Sequence, residues 1–251
     1  MKTYKTSEIA KIIGIHPNTV RFYEDCGLIP IPKRQENGYR VFTDFHLEQF
    51  ILARRALKVE VLQNGLRKKA VDIIKISASG DFDMAICLAK NYLQQIKDEY
   101  RYAEETIIIV QQILYGNEEK NEINNKLFLT RQETADYLQV TIDTLRNWEM
   151  NGLITVKRKQ NGYRIYTDQD IKRLKIIRSL RCANYSLAAI LRMLNALSCN
   201  ADINIRKIID TPKKEDDIVS VCDKLLTSLK EAERNAQEML LQLKLMKNKF
   251  M

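Results

Sequence analysis

The chain has 251 residues, 45% of them hydrophobic and 29% charged, but only 8 Gly and 4 Pro. That balance excludes a turn-rich β fold and favours long helices. A net charge of +9 suits a polyanionic partner, and the longest apolar run, MAICLA at 84–89, falls far short of the roughly 18–20 residues that cross a bilayer. The first fifteen residues hold no continuous apolar stretch of signal-peptide type, so a cytoplasmic protein without membrane contact is expected. Cysteines 26, 87, 182, 199 and 222 include no C-x-x-C pair and read as reduced thiols.

The first element predicted is a short helix capped by Thr6 or Ser7, with Ile9, Ile12 and Ile13 as its apolar stripe and Gly14 as its end. A second helix starts at His16-Pro17, with proline in the first helical position, where its missing N–H costs nothing. Val20 and Tyr23 share one face of this helix; Asn18, Thr19, Arg21 and Phe22 occupy the others. Two short helices joined by a tight turn, the second with outward polar side chains, follow the helix-turn-helix plan. Gly27 ends the second helix. "NG" at 37–38 then marks a hairpin, because both central turn residues need positive φ. Its arms carry Lys33, Arg34, Tyr39 and Arg40.

A long helix follows. Positions 86, 89, 93, 96, 100, 103, 107, 110 and 114 are all apolar at alternating steps of three and four, a heptad seam that includes Leu93, Ile96, Tyr100, Ile107 and Val110. A polar linker, GNEEKNEINNK (116–126), separates it from what comes next.

What comes next repeats the beginning. KRQENGYRVFTD at 33–44 returns as KRKQNGYRIYTD at 157–168. In register, Ala10, Thr19, Arg21, Glu24 and Gly27 match Ala135, Thr144, Arg146, Glu149 and Gly152; one deletion later NGYR, TD and Arg54/Arg178 align. A period near 124 means duplicated domains. In the second copy Thr141 is the helix cap. Asp143, Thr144, Arg146 and Asn147 are candidate contact residues, Leu145 and Trp148 share one face, and the hairpin carries Lys157, Arg158, Lys159, Tyr163 and Arg164. Residues 1–57 hold nine basic and six acidic side chains and residues 127–183 hold eleven and six; the positive charge gathers on hairpin and second helix, where a phosphate backbone would lie. A second heptad seam runs through 222, 225, 229, 232, 236, 239, 243, 246 and 250, with Leu225, Leu229, Met239 and Leu243 at its centre.

These motifs resemble the MerR family of bacterial transcription regulators. NTVRFYEDCGLI looks like that family's recognition-helix signature, and NGYRVF and NGYRIY look like its first wing. LKIIRSLRCANYSLAAILRML (174–194) is similar to its second-wing helix pair, with Asn184 where glycine is usual; the first copy keeps the helical pattern there but lacks the SL step. The resemblance covers about 70 residues twice over. It implies that Thr19, Arg21 and Phe22 face the groove or its phosphates and that Tyr39 and Arg40 press on the backbone, with Thr144, Arg146, Asn147, Tyr163 and Arg164 as their second-copy equivalents. Tyr23 and Trp148 are counted with these contacts, although their shared face with Val20 and Leu145 also fits core packing. Glu24 and Glu149 read as structural, each holding a nearby arginine.

The expected architecture is mainly α: winged helix-turn-helix heads at 1–80 and 127–212, each followed by a long helix (81–115 and 213–251), the two helices forming an antiparallel coiled coil. A parallel pair would stretch the linker almost taut, since residues 86–114 span about 43 Å and eleven residues reach about 40 Å at most. The resulting expectation is a monomer that acts as a pseudo-dimer on double-stranded DNA, with two heads reading unlike half-sites because Asn147 stands where Phe22 does. In the resembling family the two heads bend and untwist a promoter spacer for RNA polymerase. A DNA-architectural or recombination accessory role is a second reading, and a small-molecule sensor with a pocket lined by Phe82, Tyr92 or Tyr102 a third. No phosphate loop or nucleophile constellation points to an enzyme, no cofactor is implied, and the cysteines and two histidines lack the grouping of a metal site.

Overall fold

The computed structural model describes residues 2–58, 65–115, 128–158, 162–199, 204–212 and 221–251. The expected linker at 116–126, the hairpin residues Lys159 and Asn161 and the seam side chain of Cys222 lie outside the described residues. The chain is mainly α and divides into two compact units, residues 1–98 with 229–251, and residues 99–228.

In the first unit, β1 (Thr3–Tyr4) leads into α1 (Thr6–Ile13) and α2 (Pro17–Asp25). Thr6 opens α1 rather than capping it: the cap is Lys5, whose backbone N–H donates to the Glu8 carboxylate at 2.7 Å. The Glu side chain here supplies the acceptor that a Ser or Thr cap would share with it. Gly14, at φ +71°, closes α1. His16 caps α2, its Nδ1 accepting the Asn18 N–H at 3.2 Å. Strands β2 (Lys33–Arg34) and β3 (Arg40–Thr43) form the hairpin, paired Lys33 to Val41 and Arg34 to Arg40. Strand β1 adds to the other edge of β3, pairing Tyr4 with Phe42. Helices α3 (Asp44–Ala56) and α4 (Leu66–Ala78) follow.

The core of this unit forms where one face of each element turns inward. Tyr23 stacks on Phe50 with ring centroids 5.5 Å apart, and Phe42 meets Phe50 edge-on at 6.2 Å. The long helix α5 (Phe82–Tyr115) begins here. So does the described end of the last helix, α11 (Leu225–Phe250), where Asp83 pairs with Lys247 and Lys97 with Glu233. Within this unit the two segments therefore run in opposite directions.

The second unit repeats the plan with economies. Helices α6 (Arg131–Leu138) and α7 (Ile142–Met150) make the helix-turn-helix, capped by Thr130 and by Thr141, whose hydroxyl accepts the Thr144 N–H at 3.1 Å. Strands β4 (Lys157–Arg158) and β5 (Arg164–Ile165) form the hairpin, and the third strand shrinks to one bridge between Leu129 and Tyr166. Helices α8 (Asp168–Cys182) and α9 (Leu187–Cys199) follow, then the short α10 (Ile205–Ile209) and a single 3₁₀ turn (Val221–Lys224). Asn184, between α8 and α9, holds φ +68°, a conformation asparagine tolerates better than most side chains because its short amide bonds locally.

Both heptad seams turn inward. Ile96, Ile107, Val110, Leu225, Leu229, Met239 and Leu243 are buried, and Leu93 and Tyr100 are half-buried. No described helix is long and apolar enough to cross a membrane.

Candidate nucleic-acid interface

Each recognition helix is set by its two ends. At the start, a cap satisfies backbone donors that would otherwise be orphaned. At the far end Gly27 (φ +68°) and Gly152 (φ +72°) turn the chain left-handed, and the N–H groups of Leu28 and Leu153 reach back to the carbonyls of Tyr23 and Trp148 at 2.9 and 3.0 Å. An L side chain with a Cβ would be strained there. Leu28 and Leu153 are buried.

The outward faces are polar and mixed. In the first head Asn18, Arg21 and Phe22 are exposed and Thr19 is half-buried; Phe22 is 59% exposed. Arg21 and Asn18 lie one turn apart, with the guanidinium 3.4 Å from the Asn18 amide oxygen. In the second head Asp143, Arg146 and Asn147 are exposed and Thr144 is half-buried. At the hairpins Lys33, Arg34, Lys157 and Arg158 are exposed. Tyr39 and Tyr163, next to the turn glycines, are each 71% exposed. Each head thus exposes donors, cations and a ring, the inventory that positions a protein on phosphates and base edges.

Two expected contact residues belong elsewhere. Tyr23 and Trp148 are 5% and 4% exposed. They sit on the inner face with Val20 and Leu145, and burial of a large ring there outweighs anything its polar tip could gain outside. Arg40 and Arg164 are also committed inward. The Arg40 Nε–H donates to Glu24, and the Arg164 Nε–H donates to both Glu149 oxygens at 3.0 and 2.8 Å. With arginine side chains 20% and 23% exposed, these pairs fasten the wing to the recognition helix, and only the guanidinium rims remain for an outside partner. Glu24 and Glu149 do what was expected of them.

The second arginine on each glutamate differs between heads. Glu24 is approached by Arg34 of the hairpin at 3.6 Å, whereas Glu149 is approached by Arg131 of α6 at 3.4 Å. Arg131 aligns with Thr6 of the first copy, so comparing the repeats gave no signal for it. Two further residues were missed for the same reason. The Gln49 amide donates to the Leu28 carbonyl at 3.1 Å, and the Arg173 Nε–H donates to the Leu153 carbonyl at 2.6 Å. Both fasten the end of a recognition helix, but one is an amide and the other a guanidinium.

The expected sensor pocket is not formed by its named residues: Phe82 and Tyr92 are packed in the core, and Tyr102 is half-exposed on α5. Among the described residues, no three His, Cys, Asp or Glu side chains are grouped to hold a metal ion.

Two helix-turn-helix modules, each closed by a hairpin wing and followed by a helix pair, define a tandem winged helix-turn-helix protein. The "MerR family regulatory protein" model matches residues 5–42, and the "MerR HTH family regulatory protein" model matches residues 129–197. The uncharacterized HTH-type transcriptional regulator YyaN of Bacillus subtilis is 30% identical over 139 residues, which is 50% of this chain and 100% of that protein. The HTH-type transcriptional regulator CueR of Escherichia coli is 47% identical over 53 residues, or 21% of this chain. The mercuric resistance operon regulatory protein of Bacillus cereus is 27% identical over 97 residues, covering 38% of this chain and 74% of that protein. The chain spans 39% of the length of CueR. No solved structure gives a significant match. The chain belongs to the MerR family, whose members are regulatory proteins and not enzymes.

Proposed function

We propose that this protein is a sequence-specific, DNA-binding transcription regulator that carries both reading heads in one chain and binds as an intramolecular pseudo-dimer. The observation that carries this reading is the duplicated site: in both heads an exposed recognition face stands beside an exposed wing tyrosine, and a half-buried Glu–Arg pair holds the two together. Rigid coupling of helix and wing lets one element read base edges while the other grips the backbone. The proposed heads are residues 1–80 and 127–212, joined by an antiparallel coiled coil of residues 81–115 and 213–251. The ion pairs Asp83–Lys247 and Lys97–Glu233 support that direction.

The two faces are unlike. Phe22 offers apolar contact, as to a thymine methyl, while Asn147 offers the amide that pairs with adenine in bidentate fashion. Asn18 is replaced by Asp143, which repels phosphate and accepts from cytosine. The operator read by this chain therefore lacks dyad symmetry. Bending or untwisting of the duplex, with RNA polymerase at the same promoter, completes the proposal.

The test is selection of bound sequences from a random duplex library with the full chain. An asymmetric motif is expected, with affinity that falls steeply with salt and is weakened by Arg146→Ala. A palindromic motif, or no enrichment together with salt-independent binding, overturns it. Light scattering tests the pseudo-dimer: a mass near twice 29.3 kDa would defeat it.

A further inference from the structure

The duplication supplies its own control for a feature in which the heads part. In the second unit a cleft of about 470 Å³ opens between the end of α5, the segment after α7, α8 and the end of α9. Its lining includes Leu114, Ile154, Ile176 and Leu194 beside Gln169, Asp170, Lys172 and Arg173. The Asp170 carboxylate already accepts from the Thr167 N–H and hydroxyl, both at 2.8 Å. Arg173 donates through Nε to the Leu153 carbonyl; its terminal nitrogens make no hydrogen bond among the described residues. Burial lowers the guanidinium pKa from its ordinary value, and Asp170 opposes that shift. A half-buried cation at a cleft of mixed polar and apolar lining gains from an anion brought to it.

The matching place in the first unit is shut. Gln49 stands where Arg173 does and is fully buried, with its amide nitrogen and oxygen both bonded: it donates to the carbonyls of Leu28 and Ile74 and accepts from the Ser77 hydroxyl at 2.9 Å. Phe45 stands where Gln169 does and packs against Phe82 and Phe250, with ring centroids 5.7 and 5.2 Å away. Three rings close the space that the second head leaves open, and a neutral amide replaces the charge. The first head thus fastens the same backbone carbonyl with a neutral amide, without a cation.

We propose that the cleft of the second head binds a small organic anion, its carboxylate taken by the terminal nitrogens of Arg173 and its apolar body lying against Leu114, Ile154, Ile176 and Leu194. Because the same guanidinium holds the Leu153 carbonyl, three residues beyond the end of α7, occupancy bears on the recognition helix. That consequence, though not the binding itself, rests on the regulatory reading above.

The experiment titrates the full chain, without DNA, with naphthoate and with the isosteric uncharged naphthamide, by calorimetry and saturation-transfer NMR. The acid is expected to bind about tenfold or more tightly than the amide, the worth of one charge-assisted hydrogen bond. Arg173→Gln installs the first head's residue, keeps a donor for Leu153 and removes the preference for the acid. Gln169→Phe installs the first head's ring, leaves the charge and abolishes binding of both probes. Equal binding of acid and amide, binding unchanged in both variants, or no binding of naphthoate in the millimolar range overturns the proposal. Since DNA takes no part, failure here leaves the regulatory reading standing, and loss of DNA binding in selection experiments would leave this cleft standing.

Discussion

Replacing Glu149 with glutamine tests how each wing is fastened. The carboxylate accepts two hydrogen bonds from the Arg164 Nε–H, at 3.0 and 2.8 Å, between side chains 23% and 20% exposed. A hydrogen bond to a charged group contributes about 1.5–3 kcal/mol. With about a fifth of each side chain in solvent, screening trims this toward about 2 kcal/mol. Arg131, at 3.4 Å and 26% exposed, adds about 0.5 kcal/mol at most. For a unit of 130 residues (99–228), an unfolding entropy of about 2.1 cal/mol/K per residue converts 2 kcal/mol into a drop in midpoint of about 7 °C. The assay is urea and thermal unfolding of wild type, Glu149→Gln, Arg164→Gln and the double variant. The cycle is expected to return a coupling of about 1–2 kcal/mol. On DNA, affinity for the selected sequence should fall more than affinity for random duplex, because the wing no longer holds its angle. Stability within about 0.5 kcal/mol of wild type and a coupling near zero would refute the reasoning and make the pair a surface contact.

Trp148→Ala should destabilise the second unit by about 3–5 kcal/mol in denaturant unfolding, as large core truncations do, whereas Asn147→Ala on the opposite face should leave stability unchanged and relax the preference at one base position of the selected motif. Gly152→Ala should cost about 1–2 kcal/mol by the same assay, because φ +72° is a conformation that alanine reaches only with strain. His46 is buried and its pKa is lowered, chiefly by that burial, against the opposing pull of the Glu24 charge. The fold therefore prefers neutral imidazole, while the unfolded chain takes up a proton near pH 6.5. The stability it contributes is present above that pH and is lost as pH falls through it. His46→Gln keeps an acceptor for the Thr43 N–H, so its midpoint should fall less than wild type's between about pH 7.5 and about pH 5.5; parallel curves would remove His46 as the cause.

Much of the site was legible because its signals are local. A proline after His16 and glycines 27 and 152 after each recognition helix act through backbone geometry within a few residues, so the elements they bound were found with small errors at the caps; at the first hairpin Gly38 takes positive φ but Asn37 does not, so the turn there is not the one in which both NG residues do. Lys5 capping α1 was unreadable, since a lysine has no acceptor to cap with and the acceptor comes from Glu8. Tyr23 and Trp148 stood at the limit of what periodicity decides: helical phase placed them beside Val20 and Leu145, yet only the packed ring of Phe50 shows which side of the surface Tyr23 falls on.

The sequence by itself determined that one fold is written twice, that the chain is mainly helical, and which polar side chains lie away from the core on each recognition helix. These follow from period and turn chemistry, which act along the chain. Only the tertiary structure decided which arginine serves which glutamate, that Gln49 and Arg173 hold the same backbone carbonyl in their respective heads, and that one head is closed by phenylalanines where the other is cleft. Such pairings join residues that are far apart in number, and their energy depends on distance, burial and the angle of approach.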